Sequence, residues 1–103
     1  MARSRPYEET LADILRTPEE MTAYLNESME DEDPRVFLLA LQDVVRMQGM
    51  SNISRRAGVN RQSLYKVLSG DRNPRVDTLN KVLHALGLRL AVEKAETLEH
   101  ATG

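Results

Sequence analysis

Apolar residues recur along this chain at helical spacing in successive blocks separated by turn formers, and only the last block alternates. Leu11, Ile14 and Leu15 mark a short first helix over residues 8–15. Thr17-Pro18-Glu19-Glu20 has the form of a helix start, with Thr17 as N-cap, Pro18 at the first helical position and Glu20 three residues after the cap. The stripe Met21, Tyr24, Leu25 and Met29 follows it. The acidic run Glu30-Asp31-Glu32-Asp33 ends this helix, and Asp33-Pro34 opens the next, over residues 35–48. There Phe37, Leu41, Val44 and Val45 form one stripe, while Val36, Leu39, Ala40 and Met47 carry apolar area further around the axis. A helix apolar on more than one side is buried on more than one side, so the N-terminal helices are expected to cover one flank and the downstream helices the other.

Gly49 stops that helix, and Ser51 is the expected cap of a short helix over residues 52–57. Gly58-Val59-Asn60 forms the next turn: Gly58 tolerates a positive φ, and Asn60 caps a helix over residues 61–69. The loop Gly70-Asp71-Arg72-Asn73-Pro74 is dense in turn formers. Asp77 is the expected cap of a helix over 78–86, with Leu79, Val82, Leu83 and Leu86 on one face and Gly87 closing it. Leu88-Arg89-Leu90-Ala91-Val92 alternates as a short strand. One strand is not stable alone and the chain has no second candidate, so its expected partner is the same segment of a second copy, antiparallel across a two-fold axis. Leu88, Leu90 and Val92 thereby become the candidate dimerisation residues. Residues 95–103 have the look of a frayed tail.

The expected fold is all-α: one structural domain of five or six helices with a short C-terminal strand. Within it an acidic helical extension, 1–34, packs on a core, 35–87, followed by a dimerisation strand, 88–92, and a flexible tail, 93–103. Composition agrees. A chain of 103 residues suits one compact domain, which buries roughly 60 to 65% of its unfolded surface. With 41% apolar but only 4% aromatic residues, the core must come from Leu, Val, Ala, Ile and Met, a mix that favours helices. The absence of cysteine excludes disulfides, thiolate metal sites and a Cys nucleophile, and is compatible with a reducing compartment. The basic start Met1-Ala2-Arg3-Ser4-Arg5-Pro6 leads into Tyr7-Glu8-Glu9 without a secretory apolar region. The longest apolar run, residues 36–41, is too short to span a bilayer. A cytoplasmic location without a membrane partner is expected.

Charge changes the picture more than composition does. Residues 1–34 hold 3 basic and 10 acidic side chains, net −7; residues 35–92 hold 10 and 3, net +7; residues 93–103 hold 1 and 3, net −2, together the −2 of the whole chain. The overall pI of about 5.7 therefore conceals a middle segment as basic as a DNA-binding module. Two partners of opposite sign are expected, with the acidic N-terminal region suited to a basic protein.

The informative stretch runs from Met50 to Ser69. A helix-turn-helix crosses two short helices steeply, which demands an apolar and a small residue in the first helix, Gly in the turn, and apolar residues on the inner face of the second. Ile53, Ser54, Gly58, Val59, Leu64 and Val67 meet those demands in order. With Leu64, Val67 and Leu68 inward and 100° per residue, the second helix presents Gln62, Lys66 and Ser69 outward, with Ser63 and Tyr65 on its borders and Arg61 in its first turn. Arg and Lys suit guanine O6/N7 and Gln suits adenine N6/N7, so Arg61, Gln62 and Lys66 are the candidate base contacts. Ser51, Arg55, Asn60, Arg72, Asn73 and Arg75 lie at helix starts or in the flanking loop, where contacts to phosphate position the protein; Ser63, Tyr65 and Ser69 join them as border contacts.

Plainer roles stand beside these. Arg55, Arg56 and Lys81 also fit a solvated face, Tyr65 fits a packing residue with a wet hydroxyl, His84 and His100 fit surface or tail positions, and the five Met residues fit core gap-filling. The chain has no Gly-rich phosphate loop, no G-x-S-x-G and no H-E-x-x-H, and its carboxylates cluster in N-terminal helix starts, so neither an enzyme nor a cofactor is expected.

From about Thr10 to Leu90 the sequence resembles the HigA-like addiction-module antidotes, antitoxins with an Xre-type helix-turn-helix of the lambda-repressor-like kind. The matching pieces are Tyr24-Leu25-Asn26, Asp33-Pro34, Ala40-Leu41 with Asp43-Val44, Gly49-Met50-Ser51, Ser63-Leu64-Tyr65-Lys66, Asn73-Pro74 and Ala85-Leu86-Gly87-Leu88-Arg89-Leu90. The last three, in order and spacing, are the most specific. The resemblance implies an antitoxin that pairs with a small basic RelE/HigB-like toxin, an mRNA nuclease, and represses the shared operon as a homodimer on a palindromic operator. Ile53-Ser54 departs from the Leu-Ala usual in the family, but Ser54 is small enough for the helix crossing. Two other readings remain open at this level: a stand-alone Xre repressor without a toxin, and an interaction module whose helix-turn-helix is only scaffold.

Overall fold

The structure is a computed structural model that describes residues 16–70 and 73–95. Those residues form five helices: α1 (Pro18–Ser28), α2 (Pro34–Gln48), α3 (Met50–Ala57), α4 (Arg61–Leu68) and α5 (Val76–Ala85). The expected helix over 8–15 and the tail beyond residue 95 lie outside the described residues, as does Arg72.

Local chemistry accounts for most helix ends. Thr17 Oγ1 accepts the Glu20 amide at 3.1 Å while Glu20 Oε1 accepts the Thr17 amide at 3.1 Å, a reciprocal box that satisfies two otherwise free donors at the start of α1. Asp33 Oδ1 accepts the Arg35 amide at 2.9 Å ahead of Pro34, so α2 starts as its cap-plus-proline signal requires. Asn60 Oδ1 accepts the Ser63 amide at 2.8 Å and starts α4. At the end of α5 the Gly87 amide reaches the His84 carbonyl at 2.9 Å and the Leu88 amide reaches Leu83 at 2.8 Å, the paired bonds of a Schellman stop.

Two expected caps are corrected. Ser51 does not start α3: the helix begins at Met50, Gly49 holds the cap position without a side-chain bond, and Ser51 is exposed inside the first turn. Gly49 adopts φ +99°, which turns the chain between α2 and α3 in one residue and leaves no room for a separate capping loop. Asp77 does not cap α5 either. That helix begins at Val76 after Arg75, and Asp77 sits in its first turn, paired through Oδ1 with Arg75 Nε at 3.1 Å.

The core is a single cluster: Met21 and Leu25 from α1, Ala40, Leu41, Val44 and Val45 from α2, Ile53 from α3, Leu64 and Leu68 from α4, and Val82, Leu83, Ala85 and Leu86 from α5 and its cap. Leu41, Val44, Val45, Leu64, Leu68 and Val82 lose all exposure, each such burial contributing about 1.5–3 kcal/mol before chain entropy is set against it. α2 is the central element. It packs on α1, α3 and α4, while α5 packs on α3, so the expectation of a helix covered from two sides holds. Tyr24 Oη donates to Asp43 Oδ2 at 3.0 Å and ties α1 to α2. Two of the expected apolar positions stay in solvent: Met29 follows the last turn of α1 and is 60% exposed, and Leu39, on the side of α2 away from the core, is 52% exposed.

The expected strand over 88–92 is not formed within one chain. Residues 88–95 adopt neither helix nor strand, Leu88 is half-buried against the core, and Leu90 and Val92 face solvent. A strand needs a second one to pair with, and the described residues contain none.

Candidate nucleic-acid interface

α3 and α4 are two eight-residue helices joined by Gly58-Val59-Asn60. Gly58 takes the left-handed conformation, φ +71°, and ends α3 in the same way that Gly87 ends α5. Its amide donates to the Arg55 carbonyl at 3.3 Å, and the Val59 amide donates to the Ser54 carbonyl at 3.1 Å. Ser54 is buried where the two helices cross, and its hydroxyl donates to the Val59 carbonyl. The small residue expected at the crossing is therefore also a hydrogen-bonding one.

The sides of α4 divide as the sequence spacing requires. Leu64 and Leu68 are fully buried and Val67 is half-buried, while Arg61, Gln62, Ser63, Tyr65 and Lys66 are exposed, Tyr65 by about half. Gln62 and Lys66, about 40° apart around the axis, face solvent opposite Leu64, and Arg61 is exposed at the first position of the helix. From the neighbouring turns, Ser51, Arg55, Arg56, Asn60 and Ser69 are exposed as well. Some of these groups already have internal work: Asn60 uses its carbonyl oxygen as the α4 cap, Arg55 Nη2 donates to Asn52 Oδ1 at 3.4 Å, and Ser69 Oγ donates to the Lys66 carbonyl at 2.9 Å. Asn73 and Arg75 are exposed before α5, Arg75 being shared with Asp77.

Between residues 50 and 70 the charges are Arg55, Arg56, Arg61 and Lys66, with no carboxylate among them. The exposed face of α3 and α4 is consequently cationic without internal neutralisation. The acidic groups lie elsewhere. Asp33 is held below the usual carboxylate range chiefly by the Arg35 side chain, which reaches it through Nε and through Nη2 at 2.9 Å, and further by the Arg35 amide. Asp77 is likewise lowered, first by its hydrogen bond from Arg75.

One contact had no sequence signal. Gln42, on the rim of α2, donates through Nε2 to the Leu68 carbonyl at 3.2 Å, twenty-six residues away in sequence, at the last residue of α4. Gly70, just beyond, packs near the Arg35 stem. Both depend on how α2 and α4 cross, which no local pattern states.

Among the described residues no His, Cys, Asp or Glu cluster could hold a metal ion, and no helix is long and apolar enough to cross a membrane. An open groove lined by Pro18, Thr22, His84 and Leu88 runs where residues 88–95 leave the core.

Fold and surface thus define a small all-helical protein with one carboxylate-free cationic face. Over residues 7–94 the chain matches the family described as "probable addiction module antidote protein", and it belongs to that family. The chain is therefore an antitoxin, a regulatory protein with a toxin partner of some kind. It is 41% identical over 85 residues to an uncharacterized protein of Haemophilus influenzae, a match that covers 82% of this chain and 88% of the other. No solved structure matches it.

Proposed function

We propose that this antitoxin is a cytoplasmic homodimer that grips a palindromic operator through a lambda-repressor-like, Xre-type helix-turn-helix made of α3 and α4. In this reading it represses its own operon and neutralises a small basic RelE/HigB-like mRNA-nuclease toxin by direct contact. The observation that supports the DNA reading is the surface of α4: Gln62 and Lys66 are exposed opposite the buried Leu64, and Arg61 is exposed in the first turn, while Leu64 and Leu68 anchor the helix in the core. An anchored helix with donors on its free side is what major-groove recognition uses. Arg61, Gln62 and Lys66 take the base edges; Ser51, Arg55, Asn60, Arg72, Asn73 and Arg75 take phosphates, with Ser63, Tyr65 and Ser69 at the border. Residues 1–34 serve as an acidic extension on the 35–87 core, and Leu88, Leu90 and Val92 pair with a second copy.

Gel-shift titration on the DNA upstream of the protein's own gene tests the reading. Binding is expected at 50 mM salt, falling about 10³-fold by 200 mM if some six phosphates are contacted. No shift at low salt would reject DNA binding. Co-expression with the adjacent gene followed by pull-down is expected to recover a 1:1 or 2:2 complex; a neighbour that does not bind would leave a stand-alone repressor.

A further inference from the structure

If α4 reads bases, its two ends must be held rigidly, because productive side-chain geometry tolerates displacements of only about 0.5 Å. Helix ends are the places where rigidity is hardest to obtain. The last four carbonyls of any helix lack partners within it, and an eight-residue helix is too short to hold itself together in water. α4 has exactly eight residues, so half of its carbonyls fall in that last turn.

We propose that Ser54 and Gln42 are positioning residues that clamp α4 at opposite ends, one from α3 and one from α2. At the leading end, Ser54 and Val59 are bonded twice. The Val59 amide donates to the Ser54 carbonyl as part of the α3 stop, and the Ser54 hydroxyl donates back to the Val59 carbonyl. The second bond is absent from an ordinary Schellman stop, which uses backbone alone. It fixes the residue immediately before the Asn60 cap, and so the direction in which α4 sets out. Ser54 is buried and the bond partly so, which limits competition from water.

At the trailing end, Gln42 Nε2 satisfies the carbonyl of Leu68, a residue whose side chain is itself fully buried. Side chain and backbone of one residue are thereby both held, which opposes rotation of α4 about its axis. Neither clamp touches the Arg61, Gln62 and Lys66 surface, so neither is a base contact. Their effect on recognition is transmitted through the position of α4.

The inference rests on the helix-turn-helix reading for its DNA consequence but not for its structural one, and two measurements separate them. Ser54→Ala and Gln42→Met remove the donors with little change in volume, and the double variant removes both. Amide hydrogen exchange on the full chain is expected to quicken by about tenfold or more in α4 and the 58–60 turn, by loss of a bond worth about 1.4 kcal/mol at that scale, with α5 and α1 unchanged. Operator affinity relative to random DNA is expected to fall by about tenfold, the discrimination of one bidentate base contact, with salt dependence kept. Unchanged exchange in α4 overturns the clamp. An unchanged operator-to-random ratio, in a protein whose wild type discriminates, overturns its role in recognition. A wild type that does not discriminate sinks the DNA reading, and exchange still decides the clamp. The two single variants act at different ends, so failure of one to fold leaves the other to decide.

Discussion

Gln62 and Lys66 owe their exposure to Leu64 and Leu68, which take the buried side of a helix only two turns long, and Arg61 is exposed at its first position. Contacts to base edges and contacts to phosphates then separate by experiment. Gln62→Ala or Lys66→Ala is expected to lower operator affinity by about 1–3 kcal/mol while leaving random DNA nearly unaffected, whereas Arg55→Ala weakens both alike and lowers the salt slope by about 1. Equal losses on both DNAs for the first two variants would reject them as base readers. At this scale local interactions are the more legible ones, the Ser51 and Asp77 caps being the exceptions. Asn60 was recognisable as a cap because its partner, Ser63, is three residues away. Gln42 was not recognisable as a clamp, because its partner is brought near only by the crossing of two helices. Ser54 lay between these cases: spacing showed that the site needed a small residue, but only the fold showed where its hydroxyl points.

Elements follow the same division. α1 and α2 begin where their cap-and-proline signals lie, since those signals are complete within four residues. Thr17→Ala breaks the reciprocal box and is expected to cost about 1 kcal/mol, read as a lower urea midpoint at unchanged slope; no change in midpoint would show that α1 is held by packing alone. The Asp33 cap adds a pH dependence. Its carboxyl titrates below the ordinary value of 3.8, so the stabilisation it supplies is complete above that pH and is lost as pH falls through the lower folded value. The carboxyl resonance of Asp33 is expected to titrate below 3.8, and Asp33→Asn to flatten the acid limb of the stability curve. A resonance at the ordinary value would remove the claimed effect of Arg35. α3 and α5 each start one residue ahead of their expected caps: Gly49 turns the chain before α3, and Arg75 takes the cap position of α5, neither with a side-chain bond.

For the whole molecule, charge and the C-terminal segment set the remaining expectations. The net −7 of residues 1–34 and net +7 of 35–92 divide the charge along the chain by sign, a distribution that favours partners of opposite sign. Leu90 and Val92, exposed on the segment that leaves the core after Leu88, are the residues through which a second copy is proposed to pair. Replacing both with Lys is expected to shift sedimentation at micromolar concentration from dimer to monomer and to weaken operator binding by more than tenfold, since half-site cooperation is lost. A double variant that still sediments as a dimer would move the interface elsewhere.

The sequence by itself determined the number and order of the described helices, most of their inward residues and the cationic character of α3 and α4, because helical periodicity, caps and charge are properties of neighbours along the chain. Tertiary structure alone decided that Leu39 and Met29 stay in solvent, that Tyr24 joins Asp43, and that Gln42 and Ser54 hold the two ends of α4. Those facts depend on how helices cross. A crossing is fixed by the collective packing of Leu41, Val44, Val45, Ile53, Leu64 and Val82, which no local pattern encodes.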